Sequence, residues 1–128
     1  MMIADTDVLI DFLQGRGAIA ERIALEIDHG RLHTTAVTRF ELLAGASGTR
    51  QQKLVGQLLE ALPCLPLDAA AADRAAAVRR GLEKRGQAIG MGDSLIAGIV
   101  LAHNGVLLTR NRQHFERVPG LALGTVPV

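Results

Sequence analysis

Six side chains in this sequence are of types that do chemistry, and the chain pattern gives each of them company. Asp5 and Asp7 close the apolar run Met1-Met2-Ile3-Ala4. A buried strand that ends in carboxylates is costly unless a cation, a cap or solvent receives them. Glu41 lies inside a helix-patterned stretch, and Asp93 follows Gly86, Gly90 and Gly92 at the start of an apolar one. Asn111 and His114 leave a second short apolar run, in Leu108-Thr109-Arg110-Asn111-Arg112-Gln113-His114-Phe115.

Asp5, Glu41 and Asp93, with no Cys or His cluster beside them, call for a hard cation, Mg2+ or Mn2+. The other histidines, His29, His33 and His103, have no metal-ligand spacing and read as structural. A metal held by oxygens beside Arg-bearing loops suits phosphodiester hydrolysis: it activates and orients a water and neutralises charge on the phosphate. Each residue also has a plainer role. Asp7 fits the N-cap of the following helix better than a metal site, which leaves Asp5 as the ligand of the pair. Glu41 flanks the stripe Ala36, Val37, Phe40, Leu43 and Ala44, where it either reaches over a sheet edge or is solvated. Leu42 points away from that stripe, toward a partner surface. Asp93 caps its helix, binds metal, or does both. Asn111 and His114 belong to a phosphate-facing loop or to an ordinary Asx turn.

The elements that must position these groups follow from periodicity. Met2–Thr6 reads as a buried strand, followed by a helix over Val8–Leu13 closed by Gly15. A second helix covers Ala18–Asp28, and a short strand Leu32–Ala36. Thr38 opens a third helix and Thr49 a fourth, the latter carrying Leu54, Leu58, Leu59 and Leu62. Cys64-Leu65, bracketed by prolines, is a brief edge strand at most. Asp68 caps a long Ala-rich helix to Arg85. Asp93–His103 is apolar nearly all round and therefore buried. Asn104-Gly105 turns the chain into the strand Val106–Thr109, and a last strand lies near Leu121–Val126. Short apolar strands alternating with helices imply a three-layer α/β/α domain with a central, mainly parallel sheet. Its sites form outside the carboxyl ends of the strands, which singles out Asp5 and Thr109–Asn111.

The composition bounds the rest. A chain of 128 residues, 48% of them apolar with mean hydropathy +0.24, forms one domain, 1–128, with a real core. Three Phe and no Trp or Tyr exclude aromatic base-stacking platforms. The net charge of +1 provides no global basic field, although all basic residues except Lys53 and Lys84 are Arg. Cys64 is the only cysteine, so no intrachain disulfide forms, which fits the reducing cytoplasm; its apolar context reads as inert. No signal peptide and no membrane-spanning run is expected.

Two families share parts of this pattern. Asp5-Thr6-Asp7-Val8 resembles the nucleophile motif of haloacid-dehalogenase-like phosphatases, with Asp5 as nucleophile, and Gly92-Asp93-Ser94 the start of their acidic motif. The second acid is absent, because Leu95, Ile96 and Ala97 follow Ser94, and neither lysine follows a strand. The whole chain resembles PIN-domain ribonucleases, specifically VapC-type toxins of toxin–antitoxin pairs. Asp5-Thr6-Asp7-Val8-Leu9-Ile10, Phe40-Glu41-Leu42-Leu43-Ala44-Gly45, Gly92-Asp93-Ser94-Leu95-Ile96-Ala97 and Thr109–Phe115 with Pro119-Gly120-Leu121 are similar to that family's motifs, in its order.

This resemblance implies Asp5, Glu41 and Asp93 as catalytic acids that coordinate Mg2+ or Mn2+, Glu41 directly or through water. It implies an endoribonuclease acting on tRNA or other structured RNA and leaving 5′-phosphate and 3′-hydroxyl ends. It also implies a homodimer and a cognate VapB-type antitoxin that covers the groove and carries the complex to operator DNA. Family members often carry a fourth acid where this chain has His114. Imidazole suits Mg2+ poorly, which weakens or removes a second metal site and leaves His114 to meet phosphate or the leaving oxygen. Asn111 would ligate metal or position its water. Specificity is expected around Arg39, Arg110 and Arg112. Besides the phosphatase, a non-catalytic PIN-like binding module is the alternative.

Overall fold

The computed structural model describes residues 1–127. Its centre is one sheet of β1 (Met2–Ala4), β2 (Leu32–Thr35), β3 (Cys64–Leu65), β4 (Val106–Leu108) and β5 (Ala122–Leu123). Every pairing is parallel, and the order is β3-β2-β1-β4-β5. The helices are α1 (Thr6–Leu13), α2 (Gly17–Asp28), α3 (Ala36–Gly45), α4 (Gly48–Glu60), α5 (Ala69–Lys84), α6 (Met91–Ala102) and the single turn α7 (Arg112–Phe115). None of them is long and apolar enough to cross a membrane, among the described residues.

Strand alternation divides the core in two. Ile3 and Leu107 point to one face and pack with α5 and α6 through Val78, Leu82, Ile96 and Ile99. Ala4 and Leu108 point to the other and pack with α1, α2 and α4 through Val8, Ile23, Leu58 and Leu59. This is the expected three-layer α/β/α arrangement. Helices α5 and α6 approach so closely at Gly98 that a Cβ there would lie 2.5 Å from the Ala71 carbonyl oxygen and 2.6 Å from the Ala75 Cβ. Asn104, at φ +52°, makes the predicted turn into β4.

Several local expectations are corrected. Asp5, not Asp7, is the N-cap of α1. Strand β1 ends at Ala4, which pairs with Leu108, so the chain turns two residues earlier than expected and Asp7 falls inside the first helical turn. Likewise Thr35 caps α3 in place of Thr38, and Asp93 stands in the first turn of α6, behind an N-cap at Gly90. The face of α3 is reversed. Leu42 is 5% exposed and Thr38 fully buried, whereas Phe40 is 70% and Leu43 47% exposed. The face turned toward α1 carries Thr38, Leu42 and Glu41, where the Thr6 hydroxyl of α1 meets both Thr38 and Glu41, against the apolar periodicity. Cys64 is an exposed free thiol on the edge strand β3.

Candidate active site

The crossover connections leave in opposite directions from β1 and β4, so these strands flank the topological switch point of the sheet. Asp5 and Thr109 are the residues that directly follow them. The Asp5 backbone N–H still donates to the Leu108 carbonyl, at 2.9 Å, before the chain turns into α1. That turn fixes the Asp5 carboxylate, whose Oδ1 accepts from the Thr6 N–H (2.8 Å) and Oδ2 from the Thr109 hydroxyl (2.7 Å).

Two further carboxylates approach through bridging groups. The Thr6 hydroxyl donates to Glu41 Oε1 at 2.6 Å, and the buried Thr38 hydroxyl stands 3.1 Å behind it. Glu41 Oε2 lies against the first turn of α6, where a Cβ on Gly92 would be only 3.2 Å away. Next along that turn, Asp93 Oδ2 accepts from the Asn111 side-chain amide at 3.1 Å. The same amide nitrogen is 2.9 Å from His114 Nδ1, and that ring nitrogen is 3.4 Å from Asp93 Oδ2. The structure thus gathers Asp5, Glu41, Asp93, Asn111 and His114 at one end of the sheet.

Asp7 joins them. Its Oδ2 accepts from the Arg110 N–H at 3.1 Å and lies 3.4 Å from the Thr109 hydroxyl, while its Oδ1 is buried with no partner among the described residues. Thr6, Thr38 and Thr109 form a hydroxyl scaffold, of which pattern reading singled out Thr109 at its strand end but not Thr6 and Thr38. Their signal was faint, because Thr is an ordinary strand-end and cap residue. The arginines behave differently from expectation. Arg110 turns back to form an ion pair with buried Asp11, and Arg112 donates to the Gly124 carbonyl (2.8 Å) and pairs with Glu116. Of the three expected specificity residues, only Arg39 makes no hydrogen bond or ion pair among the described residues.

The electrostatics are those of crowded acids. Burial pushes the Asp5 carboxyl from 3.8 up to about 7, with Asp7 and Asp93 adding to the rise and the Thr109 and Thr6 donors opposing it. Asp7 is also raised, chiefly by burial, against the pull of Arg110. Among the described residues no three His, Cys, Asp or Glu side chains form a ready-made metal cage. Hydroxyls and an amide stand between them instead. The donor set still fits a hard cation: carboxylate oxygens dominate, one Asp7 oxygen lacks a partner, and Asp5 is strained toward neutrality by its own burial. Mg2+ in particular is held by one or two carboxylates and keeps several waters.

Fold and site together define an α/β domain with an acidic, oxygen-rich centre at its switch point. Residues 2–121 match the PIN domain, and the chain belongs to that family. It is 29% identical over 121 residues to the tRNA(fMet)-specific endonuclease VapC of Shigella flexneri, covering 91% of each chain. Ribonuclease VapC10 of Mycobacterium tuberculosis is 31% identical over 115 residues, covering 90% of this chain and 86% of that protein. Among solved structures, DNA-bound VapBC from Salmonella typhimurium superposes with a TM-score of 0.85 at 27% identity, over 96% of both chains.

Proposed function

We propose that this protein is a divalent-metal-dependent endoribonuclease of the VapC type, neutralised by a VapB-type antitoxin, and that residues 1–128 work as one PIN-like domain. The observation that carries this reading is the meeting of Asp5, Glu41 and Asp93 at the switch point of a PIN domain. Asp5 and Asp93 would hold Mg2+ or Mn2+, with Glu41 joining directly or through water. When bound, that ion lowers the pKa of a water and neutralises charge on the phosphodiester. The protein does the holding. Thr109 and the Thr6 N–H fix the two Asp5 oxygens, Thr6 fixes Glu41, and Asn111 fixes Asp93. His114, half exposed beside Asp93, would meet an incoming phosphate or leaving oxygen.

An apolar groove of about 600 Å³ between α1, α3 and α4 opens beside Glu41, lined by Ile10, Leu13, Leu42 and Leu54 with Arg50 at its rim. Such a groove suits the apolar face of an antitoxin helix. The exposed Phe40, Leu67 and Met91 on the other side of α3 support a homodimer. The substrate is tRNA or another structured RNA, the compartment is the cytoplasm, and operator DNA is met only through the antitoxin.

The test is cleavage of RNA by purified protein with Mg2+, Mn2+ or EDTA, beside Asp5→Asn and Asp93→Asn. Metal-dependent cleavage that both variants lose supports the reading; equal cleavage by both sinks it. Trapping of Asp5 by a phosphate mimic would point instead to the phosphatase. Antitoxin binding without any cleavage would point to a binding module.

A further inference from the structure

Asp11 is 2% exposed, and nothing in the catalytic reading uses it. It is one helical turn beyond Asp7 on α1, and both carboxylates hold the same residue. Asp7 Oδ2 accepts the backbone N–H of Arg110 (3.1 Å), while Asp11 takes the Arg110 guanidinium in a fork, Nε on Oδ2 and Nη2 on Oδ1 (3.3 Å). Arg16 closes the other side of Asp11 at 3.4 Å. The clamped residue lies between two that touch the site: Thr109, which donates to Asp5, and Asn111, which donates to Asp93. The three-residue segment Thr109–Asn111 is therefore the spacer between two carboxylates carried by different elements, and α1 grips it at its midpoint.

We propose that the Asp11–Arg110 pair is a positioning device for the metal site, setting where Asn111 and hence Asp93 stand, without either residue touching substrate. A bidentate guanidinium–carboxylate fork fixes direction as well as distance, which a lone lysine contact would not do. Groups that orient metal ligands from outside change affinity or turnover by about 10–100-fold when lost. The inference rests on the proposed metal site throughout, and on the ribonuclease reading for its kinetic arm.

The experiment is a double-variant cycle on the full chain: Asp11→Asn, Asn111→Ala and the two combined, with Arg110→Lys and Asp11→Leu/Arg110→Met alongside. Asp11→Leu/Arg110→Met removes the half-exposed Arg110 together with the buried Asp11 charge, so a folded protein lacking the fork remains available. Two readouts are taken: Mn2+ affinity of the RNA-free protein by electron paramagnetic resonance, and kcat and KM for RNA. Asp11→Asn and the apolar double variant are expected to weaken Mn2+ binding and lower kcat by about tenfold or more, with KM for RNA within about twofold. Arg110→Lys falls between. In the Asn111→Ala background the effect of Asp11→Asn shrinks to under about twofold, because the group it positions is gone. Unchanged Mn2+ affinity in all Asp11 variants, or effects that simply multiply in the cycle, would overturn the proposal. If wild-type protein cleaves no RNA, the ribonuclease reading fails by itself while Mn2+ affinity still judges the clamp.

Discussion

Replacing Asp5 by Asn should make the metal-free protein more stable while abolishing its activity. The carboxylate is 5% exposed, and burial with two acidic neighbours lifts it from 3.8 to about 7. At pH 8 it is charged, and a lift of that size corresponds to a ceiling of about 4 kcal/mol of native-state cost. Asn removes the charge at nearly constant volume. Its Oδ1 keeps the Thr6 N–H, and the Thr109 hydroxyl can rotate its proton to Asp7 Oδ2, 3.4 Å away, and accept from the new amide. Weakening these two charge-assisted bonds gives back roughly 1–2 kcal/mol. A net gain of about 1–3 kcal/mol remains, or roughly 4–12 °C in Tm for a chain of this size. The sign of the pH dependence is fixed by linkage. Folded Asp5 binds its proton more tightly than unfolded Asp5, so the wild type gains stability as pH falls through 7 and reaches the full gain near 3.8. The variant lacks that proton, and the gap closes toward pH 4. Urea melts of both proteins in EDTA at several pH values provide the assay. Mg2+ at a hundred times its dissociation constant should then add about 2.7 kcal/mol to the wild type and much less to the variant. A variant less stable than wild type at pH 8 without metal, or a gap that does not change with pH, would refute the argument that burial dominates at Asp5.

Three further outcomes follow from particular contacts. Gly98→Ala places a Cβ at 2.5 Å from a backbone oxygen in the α5–α6 contact; we expect a loss of about 1–3 kcal/mol in urea melts, exceeding the roughly 1 kcal/mol that Ala gains in helix propensity. Gly92→Ala pushes on Glu41 Oε2 at 3.2 Å, an atom that can yield, so the melting temperature should hold while turnover falls several-fold in an RNA cleavage assay. On α3, Leu42→Ala should cost about 2–5 kcal/mol and Phe40→Ala under about 0.5 kcal/mol in the monomer, the reverse of what apolar periodicity suggests.

The parts of this fold legible in the sequence are those where one force acts alone. Helix α6 is apolar all round, and the strands β1 and β4 are short uninterrupted apolar runs, so hydrophobicity by itself places them in the core. Asp68 capping α5 and the Asn104 turn are local backbone preferences with no rival nearby. Reading failed where forces compete. On α3 the apolar count favours burying Phe40 and Leu43, but the helix instead turns Thr38, Leu42 and Glu41 toward α1, where Thr6 bonds both polar groups. At the start of α1 both Asp5 and Asp7 are good caps, and the choice is made by Leu108 pairing with Ala4, a contact 104 residues distant that local pattern does not encode. Asp5 and Asp93 stood out because acids at the ends of buried elements are expensive, whereas Glu41, inside α3, and Asp7, read as a cap, carried no such mark. Thr6 and Thr38 carry no such cost, and they passed as ordinary.

The hydrogen bond from Thr109 to Asp5 joins residues 104 positions apart. Protein synthesis therefore makes the first carboxylate of the site long before the hydroxyl that holds it. Strand β1 has its β2 neighbour early, but β4, its partner on the other side, comes only after α5 and α6. A nascent chain that has not reached Thr109 carries Asp5, Glu41 and Asp93 without the spacer that sets them apart. On the site proposed above, a chain interrupted before β4 lacks the Thr109 hydroxyl that holds Asp5, and it is expected to be inactive until nearly all the residues that form the sheet have been made.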